Sequence, residues 1–154
     1  MNLKNSLTPL LLLCLILCVA CGSNIVRGQA PFVRMSELNH ADGKINLQLN
    51  IRNLNGEPME VKAIEFRLTV NDAGLVDYQG EADTTIAANG IETRQIDAAE
   101  PAAAKRLLDQ LEDGQYKSLP YSLEGKIVTQ KDGSLSFSNE GHIYTVPGKP
   151  GYFR

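Results

Sequence analysis

A chain of 154 residues, 43% hydrophobic, 21% charged and 6% aromatic, has the size of one ordinary domain. It is too short for a (β/α)₈ barrel, which needs about 250 residues. Fifteen Lys+Arg against 18 Asp+Glu leave a net charge of −3, a mild acidic balance that argues against nucleic acid as a partner.

The first 20 residues differ in material from the rest. Lys4 is their only charge, and Leu7 to Ala20 (LTPLLLLCLILCVA) is almost entirely apolar. As a helix that run rises only about 21 Å, short of the roughly 30 Å hydrocarbon core. A basic start, a short apolar run and small residues before a cut describe a secretory signal over residues 1–20; an uncleaved anchor is the alternative. Cys18-Val19-Ala20-Cys21-Gly22 resembles a bacterial lipobox, with Cys18 where Leu is usual. The resemblance implies that Cys21 becomes the N-terminus and carries acyl chains, palmitate among them, on its sulfur and amine. Each buried methylene contributes about 0.8 kcal/mol and one chain binds only marginally, so two or three make a stable anchor. Gly22 in place of Asp implies an outer-membrane lipoprotein facing the periplasm. Cys14 and Cys18 leave with the signal, so Cys21 is the sole remaining thiol and forms no internal bridge. A catalytic thiolate would need a base in reach, and no neighbour of Cys21 supplies one.

Residues 21–30, ending in Gly22 to Ala30 (GSNIVRGQA), are polar, contain glycine and lack periodicity, and read as a tether. Nine such residues reach at most about 30 Å. Residues 31–146 then follow a period of two. Ile45, Leu47, Leu49 and Ile51 alternate with polar residues, as do Ile64, Phe66, Leu68 and Val70, the mark of strands with one buried face. Asp42-Gly43, Asn55-Gly56, Asn71-Asp72-Ala73-Gly74, Asn89-Gly90 and Asp132-Gly133 punctuate them as turns. One segment departs from this rule. Pro101 to Leu111 has strong helix formers after a proline suited to the first helical position, with Ala104, Leu107, Leu108 and Leu111 on one face and Gly114 as a stop. Such a face packs over an open end of the sheets or binds a partner. Leu119, Tyr121, Leu123, Gly125 and Ile127 alternate again, followed by Leu135, Phe137, Ile143 and Val146. The tail 147–154 carries two prolines and cannot continue a central strand. Its terminal Tyr152-Phe153 covers a core edge or frays. The pattern is that of a mostly β protein, an antiparallel immunoglobulin- or fibronectin III-like sandwich with one α-helix. Its expected core is Ile45, Leu47, Leu49, Ile51, Ile64, Phe66, Leu68, Val70, Tyr121, Leu123 and Phe137.

Leu47 to Gly56 (LQLNIRNLNG), Val61 to Val70, Gly80 with Thr85 to Gly90 (TIAANG), and Tyr121-Ser122-Leu123-Glu124-Gly125 stand in this order. Together they resemble the late embryogenesis abundant type 2 family, also called the water-stress and hypersensitive-response domain, over about residues 30–145. Leu54 stands where the family's Asn-Pro-Asn has proline. The resemblance implies a seven-stranded sandwich with one helix and an association with desiccation and stress tolerance. It implies no catalytic residues.

Chemistry has few carriers. His40 and His142 are the only imidazoles, and a side-chain zinc site needs three or four ligands, so neither a metal nor a cofactor is expected. His40 reads as a solvated turn residue, and His142 as preceding a strand. No phosphate-binding glycine loop, Gly-x-Ser-x-Gly elbow or His-Glu-x-x-His occurs. The carboxylates Glu57, Glu60, Asp72, Asp77, Asp83, Asp97, Glu112 and Asp113 read as surface and turn groups. Tyr78, Tyr116 and Tyr121 read as strand residues too sparse for a sugar-stacking platform. The expectation is a non-enzymatic, membrane-anchored envelope lipoprotein, a stress-related binding or protective module that meets an envelope protein or a client. The alternative is a hydrolase assembled from scattered carboxylates and a histidine.

Overall fold

The computed structural model describes residues 26–154. The signal segment 1–20, the lipidation residue Cys21 and the first part of the tether lie outside the described residues. Two four-stranded antiparallel sheets face each other. Strands β1 (Phe32–Ala41), β2 (Lys44–Arg52), β5 (Ile91–Ala99) and β8 (Tyr152–Phe153) form the first, in the order β5-β2-β1-β8. Strands β3 (Met59–Val70), β4 (Ala73–Ile86), β6 (Leu119–Thr129) and β7 (Gly133–Ile143) form the second, in the order β4-β3-β6-β7. Helix α1 (Ala102–Glu112) joins β5 to β6. This is the expected mostly β sandwich with one helix. Among the described residues, no helix is long and apolar enough to cross a membrane.

Alternation explains which strands bury what. Ile45, Leu47, Leu49 and Ile51 of β2 and Ile64, Phe66, Leu68 and Val70 of β3 are all buried, as are Leu123 and Phe137. Tyr121 is the exception in the expected core. It is half-buried and packs against the core from the edge, because its hydroxyl reaches out to donate a hydrogen bond to Asn139 Oδ1 at 2.7 Å. Two hairpin turns have both central residues at positive φ, Asp42-Gly43 (51° and 72°) and Asn71-Asp72 (47° and 65°). That is the type I′ geometry whose twist matches the flanking strands.

The Tyr-x-Leu-x-Gly stretch of β6 has a packing reason. Gly125 pairs with Phe66 on one side and Phe137 on the other. A Cβ at Gly125 would sit 2.7 Å from Phe66 Cβ and 2.8 Å from Phe137 Cζ, and would collide with the Glu65 carbonyl oxygen. Glycine therefore lets two aromatic side chains share one cross-strand row. Tyr78 extends that row, with its ring stacked on Phe66 at 5.3 Å between centroids.

The two ends of the sandwich are closed differently. At one end, α1 buries Ala104, Leu108 and Leu111 and leaves Leu107 partly exposed, so its apolar face is spent on the core. The tail closes the same end. Tyr152 and Phe153 pair with Asn39 and Leu38 of β1, and Phe153 is fully buried. Of the two readings of the terminal aromatics, covering a core edge is the one observed. Tyr116 lies in the connection after α1, outside any strand, and His142 lies within β7 opposite Pro120. Both differ from the sequence expectation. The β6–β7 ladder runs on past Pro120 to the Leu119–Ile143 pair, which places His142 inside β7.

Phe66→Ala should lower unfolding free energy by about 3–5 kcal/mol in urea denaturation, since the ring is buried and stacked on Tyr78. Arg67→Ala on the outer face should change it little, because the Arg67–Asp77 pair is exposed on both sides.

Candidate functional site

Two polar clusters stand out, one at each end of the sandwich. The first is built on Asn53 and Asn55, both buried. Asn53 follows β2 at the point where the chain crosses to the other sheet. Its Nδ2 donates toward the carbonyls of Glu57 (2.8 Å), Ala87 (3.0 Å) and Ile86 (3.2 Å). Its Oδ1 accepts from the backbone N–H of Asn55 at 2.9 Å and from Asn55 Nδ2 at 3.1 Å. An asparagine amide carries both the donors and the acceptor this requires, which neither Asp nor Leu could supply. The backbone N–H of Asn53 donates to Gly90 O, and that of Asn89 to Asn55 O. The β2–β3 and β4–β5 crossovers are thereby locked together.

Asn55 extends the network to the N-terminal segment. Its Nδ2 donates to Gln29 O at 3.0 Å and its Oδ1 accepts from Gln29 N–H at 2.9 Å, a reciprocal pair like a rung of sheet. Gly56 N–H donates to Val26 O. Glu57 adds a charged clasp, 2.9 Å from Lys131 Nζ and 3.5 Å from Arg27 Nε. The Lys131 hydrogen bond, against some desolvation and with help from the Arg27 and Lys131 charges, holds the Glu57 carboxyl below its ordinary range. Residues 26–29 of the expected tether are thus bonded to the domain.

The second cluster corrects the expectation for His40. It is not a solvated turn residue. It closes β1 on the inward parity that follows Leu38, and its side chain is 8% exposed. Nδ1 lies 2.8 Å from Glu100 Oε1, whose side chain is 2% exposed, and Nε2 lies 3.5 Å from Glu112 Oε2. Glu112 also accepts from Gly151 N–H at 3.0 Å, and the His40 ring packs 5.4 Å from Phe153. The cluster therefore ties β1, the end of α1 and the tail. The two carboxylates sit on different ring nitrogens and so do not converge on a common point. Among the described residues, no group of three or more His, Cys, Asp or Glu is arranged to hold a metal ion.

The remaining candidate carboxylates are dispersed. Asp77 pairs with Arg67, Asp83 with Lys62, and Asp97 accepts from Asn46. Asp72 is in a turn, Glu60 is exposed on β3, and Asp113 caps α1. His142 is exposed beside a shallow cleft of about 380 Å³ that also takes in Asp72, Tyr121 and Glu140. Burial, partly offset by the nearby Arg34 charge, pushes the Tyr121 phenol up from its ordinary value. A larger hollow of about 730 Å³ lies on the outer face of the first sheet between Lys44, Asn46 and Asp97. Every buried side-chain N or O among the described residues has a partner within the protein.

Sequence reasoning missed both clusters. Asn53-Leu54-Asn55 stood out only as a stretch matching a family pattern. The signal for its role was a pair of amides two apart at the end of an apolar-alternating strand. For His40 the signal was parity, obscured by the neighbouring Asp42-Gly43 turn.

Asn53→Ala should destabilise the protein by at least about 2 kcal/mol in urea denaturation, since it orphans several buried backbone groups. Asn53→Asp should be worse, because it turns a carboxylate toward three carbonyls. His40→Ala should cost about 1–3 kcal/mol by leaving Glu100 buried without its partner, whereas His142→Ala should leave the melting temperature unchanged.

No family model matches the chain, and no curated protein matches it. Solved structures are similar to it. The solution structure of AT1g01470 from Arabidopsis thaliana superposes with a TM-score of 0.57 at 12% identity, covering 86% of this chain and 93% of that one. A candidate late embryogenesis abundant (LEA) protein, At2g46140.1, gives a TM-score of 0.49 at 11% identity, with coverages of 79% and 74%. A protein from Archaeoglobus fulgidus gives 0.46 at 13% identity, with coverages of 80% and 98%. The likeness to AT1g01470, at 12% identity, is one of fold alone.

Proposed function

We propose that this chain is a membrane-anchored envelope lipoprotein whose sandwich serves as a non-enzymatic, stress- or desiccation-related binding or protective module. The observation that carries the anchoring is the apolar run Leu7 to Ala20, ending in Val19-Ala20 and followed directly by Cys21-Gly22. Acyl chains on Cys21 hold the protein in the membrane, and Gly22 directs it to the outer membrane, facing the periplasm. The stress theme rests on the late embryogenesis abundant type 2 resemblance of residues 30–145, joined by a sandwich fold of the kind that resemblance implies.

The internal economy of the polar groups supports a non-catalytic reading. Both ring nitrogens of His40 already face carboxylates, so a substrate would have to displace Glu112 to reach the ring. The other carboxylates are paired across strands or stand apart in turns. What such a module offers a partner is proximity. A short link to the bilayer raises its effective concentration for envelope proteins or partly unfolded clients at the same surface.

Cys21→Ser should block acylation and leave uncleaved precursor by mass spectrometry of the full chain. An unmodified, unclipped Cys21 in the wild-type protein would overturn the anchoring. A deletion strain should lose fitness under drying or osmotic stress, and complementation should require Cys21 but tolerate His142→Ala. Loss of complementation by a folded, anchored His142→Ala protein would move the hydrolase reading ahead.

A further inference from the structure

Six large apolar side chains are exposed among the described residues, and four of them gather at one end of the sandwich. Ile91 is 62% exposed, Phe32 and Val26 are each 45%, and Leu54 is 37%. Phe32 and Ile91 flank Arg52 in a single cross-strand row, since Arg52 pairs with Phe32 of β1 and with Ile91 of β5. Leu54 lies between Asn53 and Asn55, which are bonded to Gly90 and Asn89 just before Ile91. Val26 is bonded to Gly56. The Asn53 network holds Val26, Leu54 and the turn before Ile91, and the β1–β2–β5 ladder holds Phe32, Arg52 and Ile91 beside them. The opposite end is where the apolar faces of α1 and the tail are consumed by the core.

The chain that precedes residue 26 leaves from the middle of this apolar end. Cys21 lies only five residues before Val26, a reach of at most about 18 Å. The remaining tether residues cannot act as free spacer, because Gln29 and Val26 are bonded to Asn55 and Gly56. A domain held this closely must rest some part of its surface at the lipid interface. The part nearest the attachment carries exposed Ile, Phe, Leu and Val side chains with an arginine set among them. Arg52 has no ion-pair partner among the described residues, and a guanidinium fits a lipid phosphate.

We propose that this end of the sandwich, comprising Val26, Phe32, Arg52, Leu54 and Ile91, docks on the phospholipid surface, so that the domain stands end-on with its strands running away from the bilayer. The inference rests on the anchoring at Cys21 proposed above. Leu54 and Ile91 enter the acyl boundary, and Arg52 meets the phosphates. The His40 end and the tail then face away from the membrane, at about 35 Å along strands of 11 or 12 residues. That outer end is the one presented to partners.

The protein has no tryptophan, which makes single-tryptophan probes clean. The mature acylated protein is purified from membranes carrying Ile91→Trp, Leu54→Trp or Tyr144→Trp. Tyr144 is exposed where the chain returns to the tail, at the far end. Each is reconstituted into phosphatidylethanolamine–phosphatidylglycerol vesicles with or without brominated acyl chains, after its melting temperature is shown to match wild type. All three should float with the vesicles. The Ile91→Trp and Leu54→Trp proteins should lose at least half their fluorescence in brominated vesicles, and Tyr144→Trp should lose none. Failure to float overturns the anchoring and the docking together. Flotation without quenching at Ile91 and Leu54, or equal quenching at all three sites, leaves the anchor standing and overturns the docking. A blue shift at Ile91 without quenching would assign this end to a protein contact instead, which also overturns it.

Discussion

The buried amide of Asn53 is the constraint on which the sandwich's geometry depends. Two of the chain's passages between sheets, from β2 to β3 and from β4 to β5, occur at the same end. Both must bury backbone carbonyls that no strand ladder can satisfy. Asn53 meets them with one side chain, donating toward Glu57, Ile86 and Ala87 while its carbonyl orders Asn55. A buried polar group is costly when unpaired and specifying when every atom is matched. Here it fixes where each sheet ends and so sets the register in which the two inner faces meet. Hydrophobic burial drives the sheets together without choosing among registers, and the amide supplies that choice.

The opposite end achieves closure by a different route. Helix α1 and the tail cover the core there, and His40 joins them through Glu100 and Glu112. Phe153, fully buried beside the His40 ring, extends the first sheet by two residues and shortens the open edge of β1. A short, partly covered edge is a poor template for pairing with another chain. Both clusters therefore do the same kind of work, tying loops and termini to the core with groups that face one another and not the solvent.

Much of this was legible from the residues, and the illegible parts have particular causes. Strands β2, β3 and β6 announce themselves because their inward residues are apolar at every second position. Strand β1 does not. A bulge between Met35 and Glu37 inserts one residue, so Val33, Met35 and Leu38 fall out of period although all three are buried. Strand β5 is silent for another reason. It lies at the edge of its sheet, and only Ile96 of its nine residues is buried. The helix was readable from Pro101 and its leucines, because local propensity and the core's demand agree there. The polar clusters were not, because whether an asparagine or histidine is buried depends on partners far along the chain, 33 positions away for Asn53 and Ile86 and 72 for His40 and Glu112. Periodicity carries no information at that separation.

The position of the N-terminal segment gives the two ends unequal mechanical roles in an anchored chain. Force applied from the membrane would enter at Val26 and pass to Gly56, then through Gln29 to Asn55 and Asn53. It would reach the crossovers of both sheets before it reached the start of β1 at Phe32. A pull delivered there loads several hydrogen bonds side by side, whereas a pull delivered to Phe32 alone would peel β1 from β2 one pair at a time. The reciprocal Gln29–Asn55 pair thus does more than finish a loop. In an anchored chain it would move the point of attachment from the tip of one strand to the joint that holds both sheets, and residues 26–29, which read as slack in the sequence, are bonded to the domain.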